Sequence, residues 1–196
     1  MATEPTDATA TRRGAIVDSA IGVFSRYGFK KTSMDDLARA AGLSRQGLYL
    51  HFATKEVLFK AVVLHVIESS REHARSALAR AHVSAEERLL DAFAGAHGHL
   101  VGHAGADHLG ELLETASQLL AEEMKEIEQS FVAEVTKFLK QEGIAERWKG
   151  AGISAKDLAA HLDAASHGVK QRAATLEDYR DAMRVAVRLV CRGSAR

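Results

Sequence analysis

Arg45 and Gln46 stand side by side at the start of a short helical stretch, Ser44–Leu50, and the pair suits the reading of base edges in a DNA groove. An arginine can donate twice to guanine, and a glutamine can pair with adenine. Tyr49, one turn further on, can hydrogen-bond a phosphate or pack on a thymine methyl. His51 and Lys55 are spaced for backbone phosphates, helped by the positive end of a helix that Thr54 caps. Lys30, Lys31, Ser33 and Ser44 complete a set expected on one exposed face, and Gly47 removes a side chain where the helix must approach the duplex. Arg39 reads equally as a phosphate contact or as a solvated charge.

A second group of residues could do metal chemistry. The chain has ten histidines, and His97, His99, His103 and His108 fall within twelve residues. His99 and His103 are one helical turn apart, a spacing that can hold a metal. Only Asp107 and Glu111 are near enough to complete a set, and both histidines fall off the apolar stripe. They are read as solvent-facing, with no metal expected. His97 follows Phe93 by four residues and so projects with the stripe, as a core residue or as a polar group that orients a ligand. His161 borders the stripe of Leu158 and Leu162. Cys191, the only cysteine, lies among apolar residues and reads as core or interface packing. Nothing fixes a nucleophile beside a base, and no glycine loop follows a strand. An enzyme is not expected, nor a cofactor.

The elements that must hold these residues are helical throughout. Apolar residues make up 46% of the 196, proline occurs once, and β-branched runs are scarce, which points to an all-α fold of about nine helices. Residues 1–11 read as a disordered arm. Ile16, Ala20 and Phe24 recur at helical spacing from Arg12 to Tyr27, and Gly28 ends that helix. Ser33 with Asp36 forms a capping box for a helix over 34–41. Gly42 allows a left-handed turn, and Leu43 is spaced to plug the core between this helix and the next. Thr54 opens a long fourth helix to about Ala79. Further helices carry Leu89 to Val101, 107–120, Ile127 to Gly143, 154–172 and 176–192. The segment 143–153, with three glycines and Trp148, reads as a loop.

Charge divides the chain in the same place. The whole chain is neutral, but Arg12 to Lys60 holds nine basic residues against Asp18, Asp35, Asp36 and Glu56. A basic head on a mildly acidic body makes the head the partner for a polyanion. No apolar run nears the roughly 20 residues that span a bilayer. The first residues lack the basic start and apolar stretch of a secretory signal, so a cytoplasmic protein without membrane contact is expected.

Residues 12–60 resemble the DNA-binding domain of tetracycline-repressor-like (TetR/AcrR) regulators. The resemblance is carried by Ala20 to Phe24, Gly28, Thr32-Ser33-Met34, Leu37-Ala38, Ala41-Gly42-Leu43-Ser44, Gly47, Tyr49, Phe52, Lys55 and Leu58. It implies a three-helix helix-turn-helix head at 12–60 and a larger helical ligand-binding and dimerisation domain at 61–196. It further implies a homodimer on double-stranded operator DNA of two-fold symmetry, with repression relieved by a small molecule. The small alanines of 154–192 suit a four-helix dimer interface, which would set two reading heads about 34–36 Å apart. An effector pocket is expected among Leu89, Phe93, His97, Leu112, Leu113, Phe131, Val135 and Leu162, for a largely apolar ligand. The long fourth helix is the expected lever between pocket and head. Two other readings stay open: a metal-responsive regulator using His97 to His108, and a helical interaction protein that no longer binds DNA.

Overall fold

The helical periodicity of the sequence is realised along nearly the whole chain. The computed structural model describes residues 7–98, 101 and 108–193, and among these there are nine α-helices, one 3-10 helix and no strand. The helices are α1 (Asp7–Lys31), α2 (Met34–Ala40), α3 (Arg45–Tyr49), α4 (Lys55–Ala79), α5 (Ala85–His97), α6 (Leu109–Leu119), α7 (Ala121–Gln141), α8 (Ala155–Arg172) and α9 (Leu176–Arg192). Helix α1 begins at Asp7, so residues 7–11 are helical where the sequence reads as part of an arm. Alanine, at positions 8 and 10, is the strongest helix former. The loop expected at 143–153 contains a 3-10 helix, Ala145–Ala151. It has no apolar period to announce it, and Trp148 fixes it by donating its indole N–H to the Val190 carbonyl at 2.8 Å.

The chain folds as two compact units. The first joins residues 1–66 to 105–121, and the second joins 67–104 to 122–196. The expected division at residue 60 therefore lies elsewhere, and α6 belongs with the head. No local pattern marks this, because the contacts that bind α6 to α1 are long-range. The Lys30 backbone N–H donates to Glu111 Oε1 at 2.6 Å. Gly28 has φ 75° and ψ 174°, and a Cβ there would meet Glu111 Oε2 at 2.7 Å. Leu112, Ala116 and Leu119 place the apolar side of α6 on the core of the head.

That core is built from Ile16, Ala20 and Phe24 of α1, Leu37 and Ala38 of α2, Leu48 of α3, then Phe52, Leu58 and Phe59. Phe59 meets Phe24 and Phe29 edge-on, with ring centroids 5.1 and 5.0 Å apart. Leu48 is fully buried, whereas Leu43 is only partly so. Leu48 rather than Leu43 is thus the principal wedge between α2 and α3, since α3 aims its single buried side chain inward.

In the second unit, Leu89, Leu90 and Phe93 of α5 pack with Phe131, Val135, Phe138 and Leu139 of α7, Leu158 and Leu162 of α8, and Tyr179, Met183 and Val187 of α9. The hydroxyls of Tyr179 and Ser166 enter this core in bonded form. The Tyr179 hydroxyl lies 2.6 Å from Ser166 Oγ and donates to the Phe93 carbonyl at 3.2 Å. Burial pushes its pKa up to about 12. Burial likewise pushes the Cys191 thiol up to about 11, which suits a packed thiol rather than a reactive one. Arg180 pairs with Asp91 at 2.6 Å, and Arg71 with Glu134 at 2.9 Å. Among the described residues, no helix is long and apolar enough to cross a membrane.

Candidate nucleic-acid interface

Helix α2 starts at Ser33 because its hydroxyl accepts from the Asp36 backbone N–H at 3.2 Å, while the Asp36 carboxylate accepts from the Ser33 N–H at 3.1 Å. The hydroxyl and backbone bonds from Ser33 hold the Asp36 carboxyl below its ordinary pKa. Two backbone bonds then reverse the chain, Gly42 N–H to the Arg39 carbonyl at 3.2 Å and Leu43 N–H to the Ala38 carbonyl at 2.8 Å. Gly42 has φ 65°, which the left-handed turn requires. Ser44 starts α3 by accepting from the Gly47 N–H at 3.0 Å. With Leu48 buried under it, α3 presents Arg45, Gln46 and Tyr49 outward.

Arg45 is exposed yet directed. Its guanidinium lies 3.3 Å from Asp35 Oδ2 and 3.5 Å from the Tyr49 hydroxyl. Gln46, Lys30, Lys31, Ser33 and Ser44 are exposed as well. The hydroxyls of Ser33 and Ser44 serve as helix caps, so their task within the head is to position α2 and α3. Gly47 has a role the sequence reading missed. A Cβ there would come within 3.2 Å of Ser44 Oγ, so the glycine keeps the cap of α3 uncrowded.

Two of the expected phosphate contacts are tied into the head. The Lys55 ammonium donates to the Phe29 carbonyl at 2.8 Å and the Thr32 carbonyl at 2.9 Å, and lies 4.3 Å from the Phe29 ring. It thereby pins the start of α4 to the last turn of α1 and the residue that follows it. His51 is partly buried, and its carbonyl accepts from Arg13, whose guanidinium also lies over the Phe52 ring. Arg13 was not singled out from sequence, because nothing local links it to a residue 38 positions away. Between α1 and α2, Arg26, Lys31 and Arg39 line a shallow cleft with Asp36.

The residues expected to hold an effector divide between the units. Leu112 and Leu113 lie on α6, in the first unit, with Leu113 45% exposed. Leu89, Phe93, Phe131, Val135 and Leu162 are buried in the core of the second unit and pack on one another. His97 is half-buried beside them, with its Nδ1 2.6 Å from Ser166 Oγ. Of the histidine cluster, His97 falls in the second unit and His108 in the first, while His99, His103 and Asp107 lie outside the described residues. Lys125, Glu128, Asp163 and His167 line a cleft of about 990 Å³ between α7 and α8, which the sequence reading did not foresee.

A capped helix-turn-helix that presents arginine, glutamine and tyrosine outward is the arrangement by which DNA-binding proteins read base edges. The sequence model of bacterial regulatory proteins, tetR family, matches residues 16–62, the helix-turn-helix segment of the head. It is 33% identical over 102 residues to the transcriptional repressor ComR of Escherichia coli, covering 48% of this chain and 49% of that protein. It is 35% identical over 69 residues to the regulator YfiR of Bacillus subtilis, covering 32% of this chain and 34% of that one. The chain thus spans about a third to a half of the length of these relatives. The fold is shared along the whole chain. A TetR regulator from Chloroflexus aurantiacus is similar with a TM-score of 0.68 at 20% identity, covering 94% of this chain and 96% of that one. A TetR-like regulator from Rhodococcus gives 0.63 at 22% identity, covering 98% and 100%.

Proposed function

We propose that the protein is a homodimeric transcriptional repressor that binds a palindromic operator through α3 and is released when a small molecule binds its second unit. The observation that carries this reading is the exposed Arg45–Gln46–Tyr49 face on a helix whose caps and buried Leu48 fix its orientation. The family and the repressor ComR support it. The dimer is supported by α9, where Val185 and Leu189 are 60% and 64% exposed beside Ala182 on one face. A second copy would cover such a stripe and bring two heads to successive major grooves. A small, largely apolar effector fits the composition of the second unit. It can release DNA only by favouring a state whose heads are wrongly spaced. The unbroken helix α4 offers a route for that change. The protein would act in the cytoplasm, where operator DNA is.

The test is fluorescence anisotropy with DNA flanking the protein's own gene. A dyad-symmetric site bound by a dimer is expected, with affinity falling steeply as salt rises. Binding that ignores sequence, or a monomer by sedimentation at micromolar concentration, would sink the proposal. Replacing Val185 and Leu189 together by Glu should yield monomers that still fold.

A further inference from the structure

His97 on α5 and Asp163 and His167 on α8 bring one donor atom each within 4.8 Å of the others. We propose that these three residues bind a divalent transition-metal ion, with zinc the best match to two imidazoles and a carboxylate. Asp163 is the key to the site. Its side chain is only 8% exposed, and its Oδ1 is buried with no hydrogen-bond partner among the described residues. A buried carboxylate oxygen without a partner is costly, and a cation would satisfy it.

The hydrogen bonds around the two rings set their tautomers. The Tyr179 hydroxyl gives its proton to the Phe93 carbonyl, so Ser166 must donate to Tyr179, and the His97 Nδ1–H must donate to Ser166. His167 Nδ1 lies 3.0 Å from the Asp163 carbonyl, which can only accept, so that nitrogen carries a proton too. In its neutral form each ring therefore keeps its lone pair on Nε2. A metal-binding histidine is held in the same way, by a bond from its other nitrogen to an oxygen. The ring centroids lie 4.9 Å apart, tilted by 53°. Zinc ligands sit about 2.0–2.2 Å from the ion, so the donors must draw in by about 1 Å, within the reach of small side-chain rotations.

Charge and access agree with this. Glu128 of α7 faces Asp163 and lines the same cleft as Asp163 and His167, which gives an ion a path from solvent. Lys170 also faces Asp163, from the same helix. Lys125 and Lys156 stand further out along the cleft. Phe93 and Phe131 pack against His97 and dry the inner side. An ion here would tie α5 to α8. The proposal does not depend on DNA binding, because its test reads the metal alone.

Calorimetry with zinc chloride on the full-length protein should give one ion per chain. At zinc a hundredfold above Kd, Tm should rise by about 5 °C or more. Asp163→Asn and the half-exposed His167→Gln should each weaken zinc binding by about 100-fold. His161→Gln, an exposed histidine on the same helix, should leave it unchanged. X-ray absorption on the wild-type zinc complex needs no variant and should show two imidazoles with oxygen. The proposal is overturned if the wild type binds no zinc, or if absorption shows no imidazole or more than two. It is equally overturned if folded Asp163→Asn or His167→Gln binds as wild type does. Loss of binding on changing His99 and His103 instead, with His167→Gln intact, would also overturn it.

Discussion

The two units differ in where their chemistry comes from. In the head, the outward Arg45, Gln46 and Tyr49 that the proposed function assigns to DNA share one short helix, and that helix is placed by local devices: the Ser33–Asp36 box, the Gly42 turn and the Ser44 cap. In the second unit, polar groups meet across long separations, as in His97 with Ser166 and Arg71 with Glu134, 69 and 63 positions apart. A reading surface can thus be written in a 25-residue stretch, because an exposed helix needs only orientation. A pocket must be walled from several helices, and its residues carry no shared local signal.

The hardest break to this contrast is in the core of the head. Leu48 is fully buried between α2 and α3. Leu48→Ala should cost about 2–5 kcal/mol in chemical denaturation and abolish operator binding. Leu89→Ala in the second unit should cost a similar amount of stability. At a temperature where both variants remain folded, its heads should still select base sequence. Loss of base preference in Leu89→Ala would show that the head does not read independently.

Tyr179 sharpens the same contrast from the other side. Its pKa is raised from 10 in the unfolded chain to about 12 by burial. The unfolded state therefore loses a proton that the folded state keeps. The corresponding stability, on the order of 2–3 kcal/mol, is fully present below pH 10 and is lost as pH rises to about 12. Tyr179→Phe should flatten this alkaline limb, and it should cost about 1–3 kcal/mol at pH 7 because Ser166 loses its partner. An unchanged limb in urea titrations at pH 9 to 12 would assign the loss to other groups.

Arg45 and Lys55 test what the head residues do. Arg45→Ala should cost about 1–3 kcal/mol of operator affinity, relax base preference at one position and leave thermal stability nearly unchanged. Lys55→Ala should behave in the opposite sense. Its ammonium holds the Phe29 carbonyl near the end of α1 and the Thr32 carbonyl just after it. Removing it should lower stability by about 1–3 kcal/mol and shift the salt dependence little. A salt slope reduced by about one, with stability intact, would return Lys55 to the phosphates.

These residues also show how far the sequence can be read. Helix α4 ends at Ala79 and the boxes at Ser33, Ser154 and Thr175 open their helices where the residue types require, because a cap is a local bond. The roles of Lys55, Gly47 and Arg13 were hidden, since each answers to a partner set by the turn or by a distant segment. Asp163 and His167 sit four residues apart on α8, a chelating spacing visible in the sequence, but His97 joins them only through the fold. The assignment of α6 to the head rests on Glu111 and Gly28, 83 positions apart, and no periodicity could announce that.

The smallest expected effect compares one device in both units. Ser33 and Ser154 form the same capping box, with the serine hydroxyl accepting from the third residue's N–H at 3.2 Å in each. Replacing either serine by alanine should cost about 1 kcal/mol, a loss typical of an N-cap. The partner carboxyls of Asp36 and Asp157 are held below their ordinary pKa, chiefly by the serine hydroxyl. A depressed carboxyl stabilises the fold above its unfolded pKa and loses that contribution as pH falls through the lower folded value. The serine variants should therefore differ from wild type most near neutrality, and less below pH 4. Operator affinity separates the two. Ser33 sits at the start of α2, which braces the reading helix, so Ser33→Ala should weaken operator binding beyond its effect on folding. Ser154→Ala frays only the start of α8, and at temperatures well below Tm it should bind operator as wild type does. Equal losses of affinity in the two variants would mean that the orientation of α3 does not rest on the local caps of the head.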